Sequence, residues 1–251
     1  MKNKIIINVP HSSTKLTKEF KKQKKFLTMQ EINSFNLQMT DLFTKQLFSA
    51  SKFNHVCAKY SRICCDVEKF ADDEIEIMAK YGLGVIYKNN IDGKKLLDDD
   101  ENYRQKILKK YYCPYHKKLD RISTKLLKNN KVIFVDCHSF SKDIIKTELT
   151  KPLPDICIGV EQNLYSNKKL EDFLVNYFQS LGLKVEINYP YQGTMIPNIL
   201  FKNNNKNFLS FMIEVNRELY LTNNKKSSNF KNLQKQILGL LTKLKTLNLF
   251  D

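Results

Sequence analysis

Along this chain, short apolar runs alternate with longer stretches whose apolar positions recur every three or four residues. Runs of the first kind lie at about 4–9, 56–59, 62–66, 84–87, 132–137, 155–160, 184–188 and 208–215, and they read as strands. The second kind reads as helix. "MQEINSFNLQMTDLFTKQLFSA" places Ile32, Phe35, Met39, Leu42, Phe43 and Leu47 on one stripe. "DDEIEIMAKYG" opens with acids, which suit a helix N-terminus, and closes at Gly82. "ENYRQKILKKYYCPYHKKLDRISTKLL" is helical in period on both sides of Pro114, and "KKLEDFLVNYFQSLG" and "NLQKQILGLLTKLKTL" complete the set. Strands alternating with helices predict a layered α/β domain, in which ligands gather at the carboxyl ends of the strands. Neither an internal repeat nor a Gly/Pro/Ser-rich linker interrupts the pattern, so the expectation is one domain over residues 1–251.

Two of the four histidines stand where apolar runs hand over to polar residues: His11 in "IIINVPHSST" and His138 in "VIFVDCHSFS". A neutral imidazole is the commonest metal ligand, and catalytic zinc takes two or three such donors plus a carboxylate, leaving a position for water. Lying 127 residues apart, the two form no local motif, and the plainer alternative is that each bonds a nearby backbone carbonyl. "FLSFMIEVNRELYL" ends an apolar run on Glu214, followed by Asn216 and Arg217. A carboxylate there is costly unless it is paired or used, and beside an activated water it would serve as general base. In "YSRICCDVEKFADDE", Arg62 precedes Asp66, Glu68 and Lys69. A guanidinium can hold an oxyanion or a carboxylate through two parallel bonds, which a lysine cannot reproduce. Ion pairing among these charges is the competing account of both segments.

At 251 residues the chain can bury a substantial core, and no apolar run approaches the roughly 20 residues of a membrane span. The basic and then apolar start reads as a first strand rather than a leader, which gives a cytoplasmic protein. The net charge of +16 raises nucleic-acid binding as a function class. Its lysines are spread along the whole chain among many asparagines, however, which is a compositional bias rather than a basic face. The six cysteines form no CxxC pair and several sit in apolar runs, as reduced core residues do.

Nine segments together carry a resemblance. "VPHSS", "MTDLF", "SRICCDVEKF", "GLGVIY", "CPYH", "VDCHSF", "PDICIG", "NYPYQGTMI" and "MIEVNRELYL" follow one another in the order found in N-formylglutamate amidohydrolases, from residue 4 to about residue 221. That family looks related to the zinc carboxypeptidases and aspartoacylases, and the resemblance implies a three-layer α/β/α fold around a central mixed sheet. It implies one zinc ion per chain on His11 and His138, with Asp41 of "MTDLF" as third ligand, where the carboxypeptidases' glutamate position is Thr14 here. Glu214 would be the general base, and Arg62 would polarise the amide carbonyl and hold the oxyanion. Asp136 and Asp66 would orient ligands from behind. Lys69, Arg217, Tyr191, Gly193 and His116 would meet the substrate, a small anionic N-acyl amino acid. Relatives carry "DLNR" where this chain has "DVEK", so Glu68 and Lys69 stand at the places of an asparagine and a carboxylate-binding arginine, and Arg217 is the candidate to supply that fork.

The resulting expectation is a zinc-dependent amidohydrolase converting N-formyl-L-glutamate to L-glutamate and formate. An amidase or carboxypeptidase acting on a peptide is the alternative within the enzyme class, and a basic nucleic-acid-binding α/β protein the alternative outside it. Strand-end histidines serve no purpose in pure binding, and no membrane partner is expected. The sequence sets no oligomeric state.

Overall fold

Six strands form a mixed sheet: β1 (Lys4–Val9), β2 (Asn54–Cys57), β3 (Val132–Phe140), β4 (Ile156–Gly159), β5 (Val185–Ile187) and β6 (Phe208–Asn216), in the order β2-β1-β3-β6-β4-β5. The computed structural model of the chain describes residues 2–50, 52–145, 149–161, 164–201 and 205–250. The helices are α1 (Lys18–Gln23), α2 (Met29–Met39), α3 (Thr44–Leu47), α4 (Glu101–Ile107), α5 (Cys113–Leu127), α6 (Lys168–Gln179) and α7 (Phe230–Leu244). By contact the chain divides into two compact units, each built from separated segments. The sheet unit comprises Met1–Val9, Phe43–Val56 and Leu119–Asp251, and the second unit Pro10–Leu42 and Cys57–Lys118.

In the sheet unit, β1, β3 and β6 run parallel, while β4 lies antiparallel to β6 and parallel to β5. All nine residues of β3 are buried, so both faces of the central strand are covered, as expected for a near-continuous apolar run. Phe134, Phe140, Phe208 and Phe211 lie in this core. Each contributes on the order of 1.5–3 kcal/mol by leaving water. The amphipathic stripes of α6 (Leu170, Leu174, Phe178) and α7 (Phe230, Leu233, Ile237, Leu240, Leu241, Leu244) are buried, at the spacing their sequences predict. None of the described helices is long and apolar enough to cross a membrane.

The second unit departs further from the pattern reading. The stripe predicted as one helix over 29–50 is two helices. A Thr28/Glu31 capping box starts α2, and the chain turns at Thr40, whose hydroxyl donates to the Asn36 carbonyl at 2.6 Å. Phe43 then takes a left-handed conformation, φ 62°, which no continuous helix admits. The expected strand at 62–66 is a turn in which the amides of Cys64 and Cys65 both donate to the Ser61 carbonyl. Residues 84–87 form only the isolated bridge Leu83–Tyr87. The 72–82 segment yields a single 3-10 turn, Ile77–Tyr81, because the Glu76 carboxylate folds back onto the amides of Met78 and Phe70 and the Lys69 ammonium. Around Pro114, a π turn over Leu108–Tyr112 separates α4 from α5. Proline has no N–H and crowds the preceding turn, and the wider π turn accommodates it.

Candidate active site

His11 follows β1 by two residues, so chain length alone keeps its Cα within about 7 Å of Val9. It is 1% exposed, and acids of its own unit flank both ring nitrogens. Nε2 lies 2.8 Å from Asp66 Oδ1 and 3.5 Å from Glu68 Oε2, while Nδ1 lies 3.8 Å from Asp41 Oδ2. Asp41, predicted on an amphipathic helix, stands in the break after α2 and is buried, its amide donating to the His11 carbonyl at 3.0 Å. Asp66 is the hub. Its Oδ2 accepts from Arg62 Nε (2.9 Å), Arg62 Nη2 (2.8 Å) and the Tyr87 hydroxyl (3.0 Å), and its Oδ1 also accepts from the Glu68 amide (3.2 Å). Burial opposes charge on Asp66, but Arg62 first and then His11 hold its carboxyl well below the usual range. Burial, reinforced by Asp66 against the pull of Arg62, pushes the Tyr87 phenol up, so it remains an O–H donor.

The turn over 66–69 has no strand ladder, and side chains satisfy its backbone. His116 Nε2 donates to the Val67 carbonyl at 2.9 Å and the Tyr112 hydroxyl to the Lys69 carbonyl at 2.9 Å. These two rings, one turn apart across the π-to-α junction, lie 4.2 Å between centroids. His116 thus bonds backbone inside its own unit. Lys69, expected at the substrate, pairs with Glu76 at 3.2 Å.

In the sheet unit, β3 continues past the predicted boundary to Phe140, so His138 lies inside a strand rather than at a strand end. Asp136 and His138 share one face, and the parallel register sets Glu214 of β6 level with His138. His138 Nε2 is 3.1 Å from Asp136 Oδ1. That same oxygen accepts from Asn8 Nδ2 (2.8 Å), while Oδ2 accepts from the Met195 amide (3.1 Å). Asp136 therefore ties the 188–195 loop to the strand carrying His138. Cys157, level with Glu214 on the antiparallel neighbour, donates through Sγ to the Tyr191 carbonyl at 3.2 Å. Gly193 has φ +78°, and a Cβ there would meet Glu161. The close backbone approach lies at Gly159, where a Cβ would stand 2.2 Å from the Gly193 oxygen. Arg217 places Nε on the Ser139 hydroxyl (3.2 Å) and Nη2 on the Ser139 carbonyl (3.3 Å).

One unit thus holds an acid-flanked imidazole beside an Arg–Asp–Tyr group, and the other holds a His–Asp pair level with a glutamate. The profile of the N-formylglutamate amidohydrolase family matches residues 3–221. The chain belongs to this family. Its fold is similar to that of N-formylglutamate amidohydrolase from Ralstonia eutropha JMP134, with a TM-score of 0.81 at 18% identity over 97% of this chain and 93% of that one. A gene product of Agrobacterium tumefaciens aligns with a TM-score of 0.64 at 17% identity, over 96% and 92% of the two chains. No curated protein sequence matches the chain. For this family member, then, the mixed α/β fold stands as expected.

Tyr87 and Asn8 were not singled out by the sequence reading. Asn8 carried a signal, a polar residue inside "IIINV" that is fully buried in the fold. Tyr87 carried none, because its partner Asp66 is 21 residues away.

Proposed function

We propose that this family member is a metal-dependent amidohydrolase cleaving a small N-acyl amino acid, with N-formyl-L-glutamate giving L-glutamate and formate as the reaction to test first. The observation that carries the metal reading is the setting of His11. An ionised Asp66 can only accept, so Nε2 at 2.8 Å bears a hydrogen, and Nδ1 lies on the side of Asp41. Nitrogen and carboxylate donors in this arrangement suit zinc. In this reading His11, Asp41 and His138 hold one ion. Glu68, 3.5 Å from His11 Nε2, is the other acid fit to join the two histidines in a metal group. An ion held there supplies a Lewis acid and makes water acidic enough to react near neutral pH.

The chain's own residues do the rest. Glu214 takes a proton from the attacking water and returns it to the departing amine nitrogen, so the proton released on attack ends on the leaving group. Arg62 faces the developing oxyanion with the edge not given to Asp66. Arg217 and Lys69 supply positive charge for the substrate carboxylate, and the Tyr191–Gly193 loop closes over the substrate.

The test is zinc content and N-formyl-L-glutamate hydrolysis on one set of preparations. Wild type should carry about one zinc, His138→Ala and Asp41→Asn should lose it, and Glu68→Gln should keep it. Glu214→Gln should keep zinc while hydrolysis falls roughly 10²- to 10⁴-fold. Zinc without hydrolysis removes the substrate assignment. A chain that binds no zinc removes the metal, and loss of zinc in Glu68→Gln with retention in Asp41→Asn makes Glu68 the third ligand.

A further inference from the structure

Asn188 follows the last residue of β5 and takes a left-handed conformation, φ 55°, which asparagine tolerates better than most side chains. Its amide still donates to the Ile158 carbonyl at 2.9 Å, one step beyond the Ile158–Ile187 pair of the parallel β4–β5 ladder. Continued further, that ladder would bond the Val160 amide to the Asn188 carbonyl and the amide of residue 190 to the Val160 carbonyl. The left-handed turn leads the main chain away, and Pro190 has no N–H to give. The Asn188 side chain fills both places. Its Oδ1 accepts from the Val160 amide at 2.9 Å, and its Nδ2 donates to the Val160 carbonyl at 3.1 Å. Oδ1 also accepts from the Gly193 amide at 3.3 Å, so one side chain joins the edge of the sheet to the far limb of the loop.

The loop then crosses the sheet face that carries His138 and Glu214. Asp136, Met212 and Gly159 stand level on that face, and His138, Glu214 and Cys157 form the next row. The Gly193 carbonyl lies against Gly159, the Tyr191 carbonyl takes the Cys157 thiol, and the Met195 amide reaches Asp136. The Tyr191 ring meets Phe140, two residues beyond His138, edge-on at 6.1 Å. We propose that Asn188 is a positioning residue for the substrate: by standing in for the strand it terminates, it fixes where the loop leaves β5 and so where Tyr191 and Gly193 stand over this face. Asn188 touches no reacting atom in this account. The inference rests on the reading that the loop meets the substrate, whereas the anchoring itself is a property of the ligand-free chain.

The test is amide hydrogen exchange by NMR together with N-formyl-L-glutamate kinetics, on wild type and three variants. Asn188→Gly keeps the left-handed turn and removes all three side-chain bonds. Asn223→Gly is the control, because Asn223 is also left-handed, φ 51°, but lies at the tip of the hairpin that pairs Leu221 with Lys226. In Asn188→Gly the Val160 and Gly193 amides should exchange roughly tenfold faster. KM should rise about tenfold with kcat within about twofold, the pattern of lost substrate binding rather than lost chemistry. Asn223→Gly should match wild type in both readings. Wild-type exchange at those two amides or a wild-type KM in Asn188→Gly would overturn the proposal, as would a fall in kcat as large as the change in KM. Asn188→Asp, which loses only the donor, keeps the experiment decisive if the glycine variant does not fold. Its KM should rise severalfold with kcat held, and a wild-type KM there also overturns the proposal. If wild type does not hydrolyse N-formyl-L-glutamate, the substrate reading fails, and the exchange rates alone decide whether Asn188 anchors the loop.

Discussion

At the scale of single residues, the second unit is organised by one buried carboxylate. Asp66 is fully buried and Arg62 is half-buried, and the pair is held together with His11 and Tyr87. Removing the charge from Asp66 strands the guanidinium, and breaking a buried pair from one side costs about 3–5 kcal/mol. Asp66→Asn should therefore lower the urea midpoint strongly at pH 7; an unchanged midpoint would mean that Arg62 finds water. The pH dependence has a definite sign. The folded pKa of Asp66 lies below its unfolded value, so its contribution is complete above the ordinary carboxylate range, near pH 3.9, and fades as pH falls toward the folded value. The gap between wild type and Asp66→Asn should narrow accordingly in acid. From the sequence, Arg62 and Asp66 were legible as charges that pair or act. That they pair, four residues apart inside a turn, needed the fold.

At the scale of elements, the sequence was most legible where one face decides. The stripes of α6 and α7 and the apolar runs of β1, β3 and β6 each bury a face the periodicity announces. It was least legible between residues 58 and 90, where turns, an isolated bridge and side-chain bonds stand in place of strand ladders. The 66–69 turn shows the cost of that design. His116→Leu leaves the Val67 carbonyl without its donor and should destabilise the protein by about 1–3 kcal/mol. His116→Gln, which keeps an N–H near the place of Nε2, should recover part of that loss in thermal melts. Equal melting temperatures for the two variants would show that the bond to Val67 contributes nothing. The π turn before α5 belongs to the same device, since it brings Tyr112 and His116 onto the two carbonyls that flank Glu68.

At the scale of the whole molecule, the charge of +16 is the most conspicuous property of the sequence and the least informative about its chemistry. Its consequence is kinetic, because a positive field draws an anionic substrate and salt screens it over about 8–10 Å. For N-formyl-L-glutamate, kcat/KM should fall several-fold between about 20 and 300 mM salt while kcat holds, since steering acts on encounter and not on the bound complex. A flat profile would mean that the positive charge is not focused on the route to the site. The series of short motifs carried more than the charge did. Spread through both units, it lies within residues 3–221, the range that the family profile matches.

The sequence by itself determined the class of fold, the family, the main strands and the amphipathic helices, because burial of a face imposes a period that one chain displays without its partners. It also marked His11, His138 and Glu214, since polar groups at the ends of apolar runs are costly and stand out. Only the tertiary structure decided which acid faces which nitrogen of His11, that Asp136 reaches both His138 and Met195, and that Tyr87 bears on Asp66. These are hydrogen bonds between residues remote in the chain. No local period records them, and their geometry exists only once the backbone has been folded around them.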